Sequence, residues 1–413
     1  MRTVLERFLD YVGFDTRSDD ATGRHPSTPG QFELARHLAA ELETIGADEV
    51  HVSEHACVTA RLPATPGLEQ VPPLGFLAHL DTSDAASGRN VHPQIVQYSG
   101  GVIPLGTSDL TLDPELFPVL HRLKGHTLVT TDGTTLLGAD DKAGIAEIMT
   151  AAETILTRNL PHGTICIGFT PDEEIGEGTL CFDVEGFGAA YAFTLDGGAA
   201  GEIEYRNFNA AEAEVKFRGV NVHPGSAMGI MINAQKLAFT FDAQLPPGET
   251  PEKTEGLEGF YHLARTAGTV GEAQLTYLLR DHDGERFAAR KAKLQEIADR
   301  MNRQYGAGTV NLSCRDQYRN MAEVIDRHPH LLELARRAVR EAGLLVAEPP
   351  IRGGTDGALL SFRNLPCPNL GTGGYNFHGE QEFASVQEME AQVRVILNLV
   401  DGFRREPPRP QPF

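Results

Sequence analysis

The chain has 413 residues, with 36 Lys plus Arg against 57 Asp plus Glu and a formal net charge of -21. That length holds two domains and a large buried core, and the acidic balance argues against nucleic acid or an anionic membrane as partner. No window approaches the ~18 apolar residues of a membrane span, there is no tryptophan, and the five cysteines (Cys57, Cys166, Cys181, Cys314, Cys367) are dispersed without C-x-x-C pairing, the usage of reduced thiols in a cytoplasmic protein.

The first residues, MRTVLERFLDYVGFDT, carry charges through their apolar positions and read as an amphipathic helix, not a signal peptide. Residues 3–12 and 30–46 are expected helices, the second stopped by Gly46. VHVSEHACVTARLPA and PPLGFLAHLD read as strands. Residues 83–135 are polar and rich in Gly and Pro, and an excursion of that length usually serves or covers a site. DDKAGIAEIMTAAETILTR reads as a helix; GTICIGFTPDE and AAYAFTLDGG read as buried strands. Strands alternating with helices predict an α/β catalytic domain whose mixed, largely parallel sheet is flanked by helices.

The pattern changes near Asn207. AAEAEVKFRG alternates, a helix follows from about Ile232 to Gln244, EGFYHLARTAGTV and EAQLTYLLRDHD alternate, ERFAARKAKLQEIADRMNRQYG is a long amphipathic helix, and GTVNLSCRDQYRNM is a last strand. That order, βαββαβ, is the ferredoxin-like split unit. The expected organisation is a small domain at 208–318 inserted into a discontinuous one made of 1–207 and 319–413. Helix and strand alternation resumes after Met321 with HPHLLELARRAVREAG and EMEAQVRVILNLVDGF, and the Pro-rich RREPPRPQPF reads as a frayed tail.

Acids and histidines gather where these strands end. His79 and Asp81 in FLAHLDT are two apart on a strand end and share a face. The histidine can bind a metal while the aspartate orients its ring and fixes its tautomer. Glu173 and Glu174 in TPDEEIG are adjacent, so their side chains diverge: one can ligate while the other serves as the free carboxylate that a general base requires. Asp140 in LGADDKAG lies in a Gly-flanked turn suited to bridging two ions, and Asp196 in FTLDGG and His378 in YNFHGE complete one terminal ligand each. Two histidines and three carboxylates, one of them shared, give each ion one His, one terminal carboxylate and one bridge. With a bridging water each ion is roughly tetrahedral, at a spacing of ~3.5–4 Å. Nitrogen and oxygen donors without thiolate suit two Zn²⁺ best, with Co²⁺ or Mn²⁺ as substitutes.

HLDT, NVHPQIV, GHTLVTTDGTTLLGADDKAGIAEIM, TPDEEIG, DGG, NVHPGSA, RGGTDGA and NFHGEQEF, in this order from about residue 79 to 383, resemble the signatures of the peptidase T family, the tripeptide aminopeptidases of the di-zinc aminoacylase and peptidase superfamily. The resemblance implies zinc ligands at His79, Asp140, Glu174, Asp196 and His378, with Asp140 bridging, Glu173 as general base and Asp81 as the orienter of His79. It implies hydrolysis of the first peptide bond of small peptides by metal-bound hydroxide, and an inserted domain that acts as lid and homodimer contact. It also implies a cis peptide bond between Asp140 and Asp141. His223 in GVNVHPGSA is then an oxyanion donor. Arg280 in LLRDHD and Arg352 in RGGTDG are candidates for gripping a peptide's C-terminal carboxylate by a bidentate pair. The metal ligands alone do not separate this activity from that of a dipeptidase, carboxypeptidase or N-acyl amino acid hydrolase of the same superfamily.

Overall fold

LGFLAH (Leu74–His79) and ICIGFT (Ile165–Thr170) are buried at every position, and YAFTLDG (Tyr191–Gly197) nearly so. Runs with no polar face cannot lie on a surface, and they pair in parallel at the centre of a sheet covered on both sides. The computed structural model describes residues 1–408, so the end of the Pro-rich tail, 409–413, lies outside the described residues. Two compact units emerge. One comprises Met1–Tyr205, Glu323–Pro349 and the chain from Thr355 onward; the other comprises Arg206–Ala322 and Pro350–Gly354.

In the larger unit the seven-stranded sheet runs Asp48–Val52, Val58–Leu62, Ile165–Thr170, Leu74–His79, Tyr191–Gly197, Asn369–Gly371, Ile203–Glu204. The four strands from Ile165–Thr170 to Asn369–Gly371 are parallel neighbours, and the flanking pairings are antiparallel. The carboxyl ends of the parallel strands therefore share one edge, the place where open α/β sheets bind ligands. The helix Ala139–Thr157 packs against Leu74–His79 and Tyr191–Gly197, and behind it lie Val4–Tyr11 and Val386–Arg405. Gly144 permits this approach: a Cβ there would meet the Leu195 carbonyl oxygen at 2.0 Å. Both N-terminal helices end as their residues dictate. Thr3 and Glu6 form a capping box, and Gly46 closes Gly30–Ile45 in the left-handed region at φ 93°.

The excursion 83–135 is more ordered than its polarity suggests. Its strands Gln94–Gln97 and Thr127–Thr130 join Phe383–Ser385 and Gly374–Tyr375 in an antiparallel four-stranded sheet, and Ile103–Pro104 pairs with Thr111–Leu112. Leu105, Leu112, Leu120, Leu123 and Leu128 bury completely in a small core with Tyr375 and Phe383. Residues near the C-terminus thus complete a sheet begun by this excursion.

The smaller unit has the expected order of elements: Asn209–Arg218, Ala234–Asp242, Phe260–Gly268, Glu272–Asp281, Gly284–Tyr305, Val310–Tyr318. Its antiparallel sheet places the fourth strand beside the first, then the third, then the second. Ala211, Ala213, Val215 and Phe217 alternate onto one face and pack with Leu237 and Phe241 of one helix and Leu294, Ile297 and Met301 of the other. Residues 350–354 belong to this unit, which the sequence reading assigned to the other. The cause is local bonding: Ile351 N–H donates to the Arg206 carbonyl, and Arg352 donates to carbonyls of 254–258. No helix among the described residues is long and apolar enough to cross a membrane.

Candidate metal centre

Strand ends deliver most of the predicted residues in the larger unit. His79 terminates Leu74–His79, Glu173 and Glu174 follow Ile165–Thr170 in a single 3-10 turn, and Asp196 lies at the end of Tyr191–Gly197. Asp140 stands in the first turn of Ala139–Thr157, and its peptide bond to Asp141 is cis, as the resemblance implies. His378 lies between Gly374–Tyr375 and Phe383–Ser385, at φ 64°.

The carboxylate of Asp140 faces two histidines at once. Its Oδ1 is 2.8 Å from His79 Nε2, and its Oδ2 is 3.2 Å from His378 Nε2. Asp196 Oδ1 lies 3.4 Å from His79 Nε2, and Glu174 Oε1 lies 3.0 Å from His378 Nε2. Two clusters result, His79–Asp140–Asp196 and His378–Asp140–Glu174, joined by the two oxygens of one side chain. Donor atoms of His79, Asp140 and Glu174, and of His79, Glu173 and Asp196, also lie within 4.8 Å of one another, so both adjacent glutamates reach the centre.

These contacts pose a charge problem that a cation solves. His79 is 2 % exposed. Its Nδ1 faces the Asp81 carbonyl at 3.0 Å and Asp81 Oδ1 at 3.3 Å, while its Nε2 faces Asp140 and Asp196. Both ring nitrogens thus meet acceptors, and a neutral imidazole donates from only one. Burial opposes a charged ring, yet the bonds to Asp140, Asp196 and Asp81 raise the His79 pKa well above the ordinary value. The neighbouring carboxylates of Asp140 and Glu174 push His378 up to about 10. Burial alone would raise Asp140; the two histidines hold it below the usual carboxylate range instead. Glu174 Oε1 is buried without a well-formed hydrogen bond, and burial with the charge of Asp140 pushes this group to about 7. Burial and the charge of Asp196 push Glu173 well above the carboxylate range. A set of converging acids and imidazoles that must otherwise be neutralised by protons is the donor chemistry of divalent metal ions, and the residues present fit two of them.

Asp81 does more than orient His79. Fully buried, it accepts the backbone N–H of Glu173 on Oδ1 at 2.9 Å and that of Glu174 on Oδ2 at 3.1 Å. One carboxylate therefore holds a histidine ring and the turn of both glutamates. Three further acids surround the centre that motif reading left without a role. Asp141 accepts the His79 N–H at 3.0 Å. Asp172, in the left-handed region at φ 58°, accepts from Ser27 N at 2.8 Å, Ser27 Oγ at 2.5 Å and Gln31 Nε2 at 2.6 Å, which fixes the chain just before Glu173. Glu382 accepts three backbone N–H groups around Asp140. Their presence inside quoted motifs was the only available signal.

The predicted substrate residues belong to the smaller unit. His223 is exposed, and its Nδ1 accepts the Gly225 N–H at 3.1 Å. Arg280 Nη1 donates to the Leu279 carbonyl at 3.0 Å, and its guanidinium lies 5.3 Å from the centre of the Tyr318 ring. Arg352 is more fully engaged. Nη1 donates to the Gly256 and Glu258 carbonyls, both at 2.9 Å, Nη2 donates to Thr254 Oγ1 at 3.0 Å, and the rings of Phe208 and Phe260 lie 5.1 and 5.6 Å away.

A parallel-sheet edge that carries His79, Glu173, Glu174 and Asp196, with Asp140 from a helix start and His378 from a loop, is the donor set of a metallohydrolase. Comparison with known proteins gives the family. The profile of peptidase family M20/M25/M40 matches residues 127–402. Proteins named peptidase T from Edwardsiella ictaluri and Escherichia fergusonii are 52 % and 51 % identical, over 97 % of this chain and 98 % of theirs. Among solved structures, aminopeptidase PepT from Bacillus cereus superposes with a TM-score of 0.76 at 23 % identity, covering 97 % of both chains. A Bacillus subtilis protein described as a dinuclear metal binding peptidase superposes at 0.63 and 16 % identity, over 96 % of this chain and 97 % of its own. The chain belongs to the M20 peptidase family, and as an enzyme it is a metallopeptidase similar throughout to the peptidase T proteins.

Proposed function

We propose that this protein is a cytoplasmic aminopeptidase that releases the N-terminal residue of tripeptides, using two zinc ions held by His79, Asp140, Glu174, Asp196 and His378. The observation that carries the two-ion reading is Asp140, whose two oxygens face two different histidines at 2.8 and 3.2 Å. The tripeptide reading is supported by similarity to peptidase T along the whole chain and by a Staphylococcus aureus tripeptidase of the same fold. Five free cysteines agree with a reducing compartment.

Bound ions would polarise the scissile carbonyl and acidify the attacking water. The chain's own residues do the rest. Glu173, held by Asp81 at its backbone, takes the proton of that water and returns it to the leaving amine; its raised pKa suits a group that must both accept and donate. His223 donates to the oxyanion from Nε2, because its Nδ1 accepts from Gly225 and so directs the ring proton to the other nitrogen. Of the two arginines, Arg280 takes the peptide's carboxylate, since both terminal nitrogens of Arg352 are given to oxygens of residues 254–258. Arg352 in this reading shapes that segment as part of the substrate-facing surface. Residues 208–318 serve as lid and homodimer contact, and sedimentation of the purified protein tests the second role.

The decisive experiment is a panel of di-, tri- and tetrapeptides with free or blocked amino ends, assayed with zinc and with chelator. Tripeptides with a free amino end should lose their first residue, with activity abolished by chelator and restored by zinc. Preferred cleavage of dipeptides, of C-terminal residues or of blocked substrates overturns the aminopeptidase reading in favour of another hydrolase of the family.

A further inference from the structure

Glu382 is 1 % exposed. Its Oε2 accepts the backbone N–H of Leu137 at 2.7 Å and of Gly138 at 2.8 Å, and its Oε1 accepts that of Asp140 at 3.0 Å. These three amides form the turn that presents Asp140, at the start of Ala139–Thr157. Glu382 itself sits four residues beyond His378 in the same connection between Gly374–Tyr375 and Phe383–Ser385. One side chain therefore ties the backbone of the bridging acid to the loop of the second histidine.

The rest of that loop is fastened to the 83–135 excursion. Thr131 Oγ1 donates to the Glu380 carbonyl at 2.7 Å, and Gln381 Nε2 donates to the Thr111 carbonyl at 2.7 Å. Asn376 Nδ2 closes the loop on itself through the Gln381 carbonyl at 3.1 Å. The buried ammonium of Lys142 donates to the Phe14 carbonyl at 2.7 Å and feels the charges of Glu382, Asp15 and Asp81. A buried carboxylate that accepts on both oxygens and is shared by two ligand-bearing segments has a geometric task beyond capping a helix, although it also occupies a favourable anion position at a helix N-terminus.

We propose that Glu382 is a positioning residue of the metal centre. It locks Asp140 and His378 into one unit, so the cluster His378–Asp140–Glu174 depends on it through two members, whereas in the cluster His79–Asp140–Asp196 strand ends supply both His79 and Asp196 and only the shared Asp140 depends on it. This rests on the two-ion reading above. Replacing Glu382 by Gln turns one acceptor oxygen into a donor that must face backbone N–H groups, and by Ala removes all three acceptors. Asp keeps the charge and lacks one methylene of reach.

The test uses full-length protein stripped of metal and titrated with Zn²⁺ against a competing chelator, and separately with Co²⁺ while its visible absorption is followed. Wild type, Glu382→Gln, Glu382→Ala and Glu382→Asp are compared, with melting recorded for each. Wild type should take two ions. Glu382→Gln and Glu382→Ala should keep one tight site, weaken the other by about 10–100-fold, and alter the second half of the cobalt titration. kcat should fall with KM nearly unchanged. Glu382→Asp should recover part of the second-site affinity. Unchanged affinities and spectra beside a lowered melting temperature would show a helix cap only and overturn the proposal. If Gln and Ala variants fail to fold, the Asp variant decides by the same criterion. A wild type that takes up no metal would sink the two-ion reading instead, whatever the variants do.

Discussion

His79 is 2 % exposed at the end of a strand buried on both faces, while the side chain of His378 is 47 % exposed in a turn at φ 64°. The two histidines address the same aspartate from backbones of opposite kind. On the His79 side, rigidity comes from the sheet: parallel neighbours, close packing at Gly144, and Asp141 and Asp81 bonded directly to the strand and the adjoining glutamate turn. On the His378 side it comes from specific hydrogen bonds of Thr131, Gln381 and Glu382. A sheet spreads its constraint over many contacts, whereas a tied loop concentrates it in a few, so single substitutions should act differently on the two sides.

The largest effect is expected at Glu173, the proposed base, which has a carboxylate oxygen within 4.8 Å of donor atoms of His79 and Asp196. Glu173→Gln should keep both ions and lower kcat by about 10²–10⁴-fold. Metal content together with steady-state kinetics checks this, and near-normal turnover would remove Glu173 as the base. Next comes Asp81→Asn. Asn presents one acceptor oxygen where Asp81 serves Nδ1 of His79 and two backbone amides. A loss of about 10–100-fold in zinc affinity or turnover is expected. If the comparison holds, the site weakened more in Asp81→Asn, which frees the His79 ring as well as loosening the turn of Glu174, is the one that survives in the Glu382 variants. Loss of the same site in both would erase the distinction between the two sides.

The difference also explains what was legible in the sequence. A run such as ICIGFT followed by PDEE announces a buried strand with acids at its end, because periodicity and residue type coincide. The candidate ligands His79, Glu174 and Asp196 lie at or just beyond such strand ends, and the inserted βαββαβ order followed from long alternating segments. The four-residue strands Gln94–Gln97 and Thr127–Thr130, which pair with each other, are too short to show a period, and the second strand's other partner, Phe383–Ser385, is far away in sequence, so the excursion read only as polar. Asp172 and Glu382 escaped for another reason. Each acts by accepting backbone or side-chain hydrogens brought from distant segments, and an acid with that task looks like any surface charge until the chain is folded. Arg352 shows the converse: its setting among glycines suggested a ligand, and its fork closes on carbonyls of its own unit.

Burial of an acid has a cost on the sheet side that no hydrogen bond offsets. Glu147, two turns into the helix Ala139–Thr157, is fully buried with neither carboxylate oxygen bonded. Burial first, then the charges of Asp141 and Glu388, raises its pKa well above the ordinary carboxylate value. The unfolded chain releases this proton near pH ~4.3, so between that value and the raised folded value the native state binds more protons. Stability from this group is complete below the unfolded pKa and is lost as pH rises, by up to about 1.4 kcal/mol per pH unit. Glu147→Gln removes the titration while keeping the size. Its melting temperature relative to wild type should therefore improve between pH 5 and pH 8, measured on metal-free protein so that ion binding does not contribute. A difference that is flat or falls with pH would mean that Glu147 is ionised in the folded protein and is neutralised by a partner, and the sheet side would then carry no such cost.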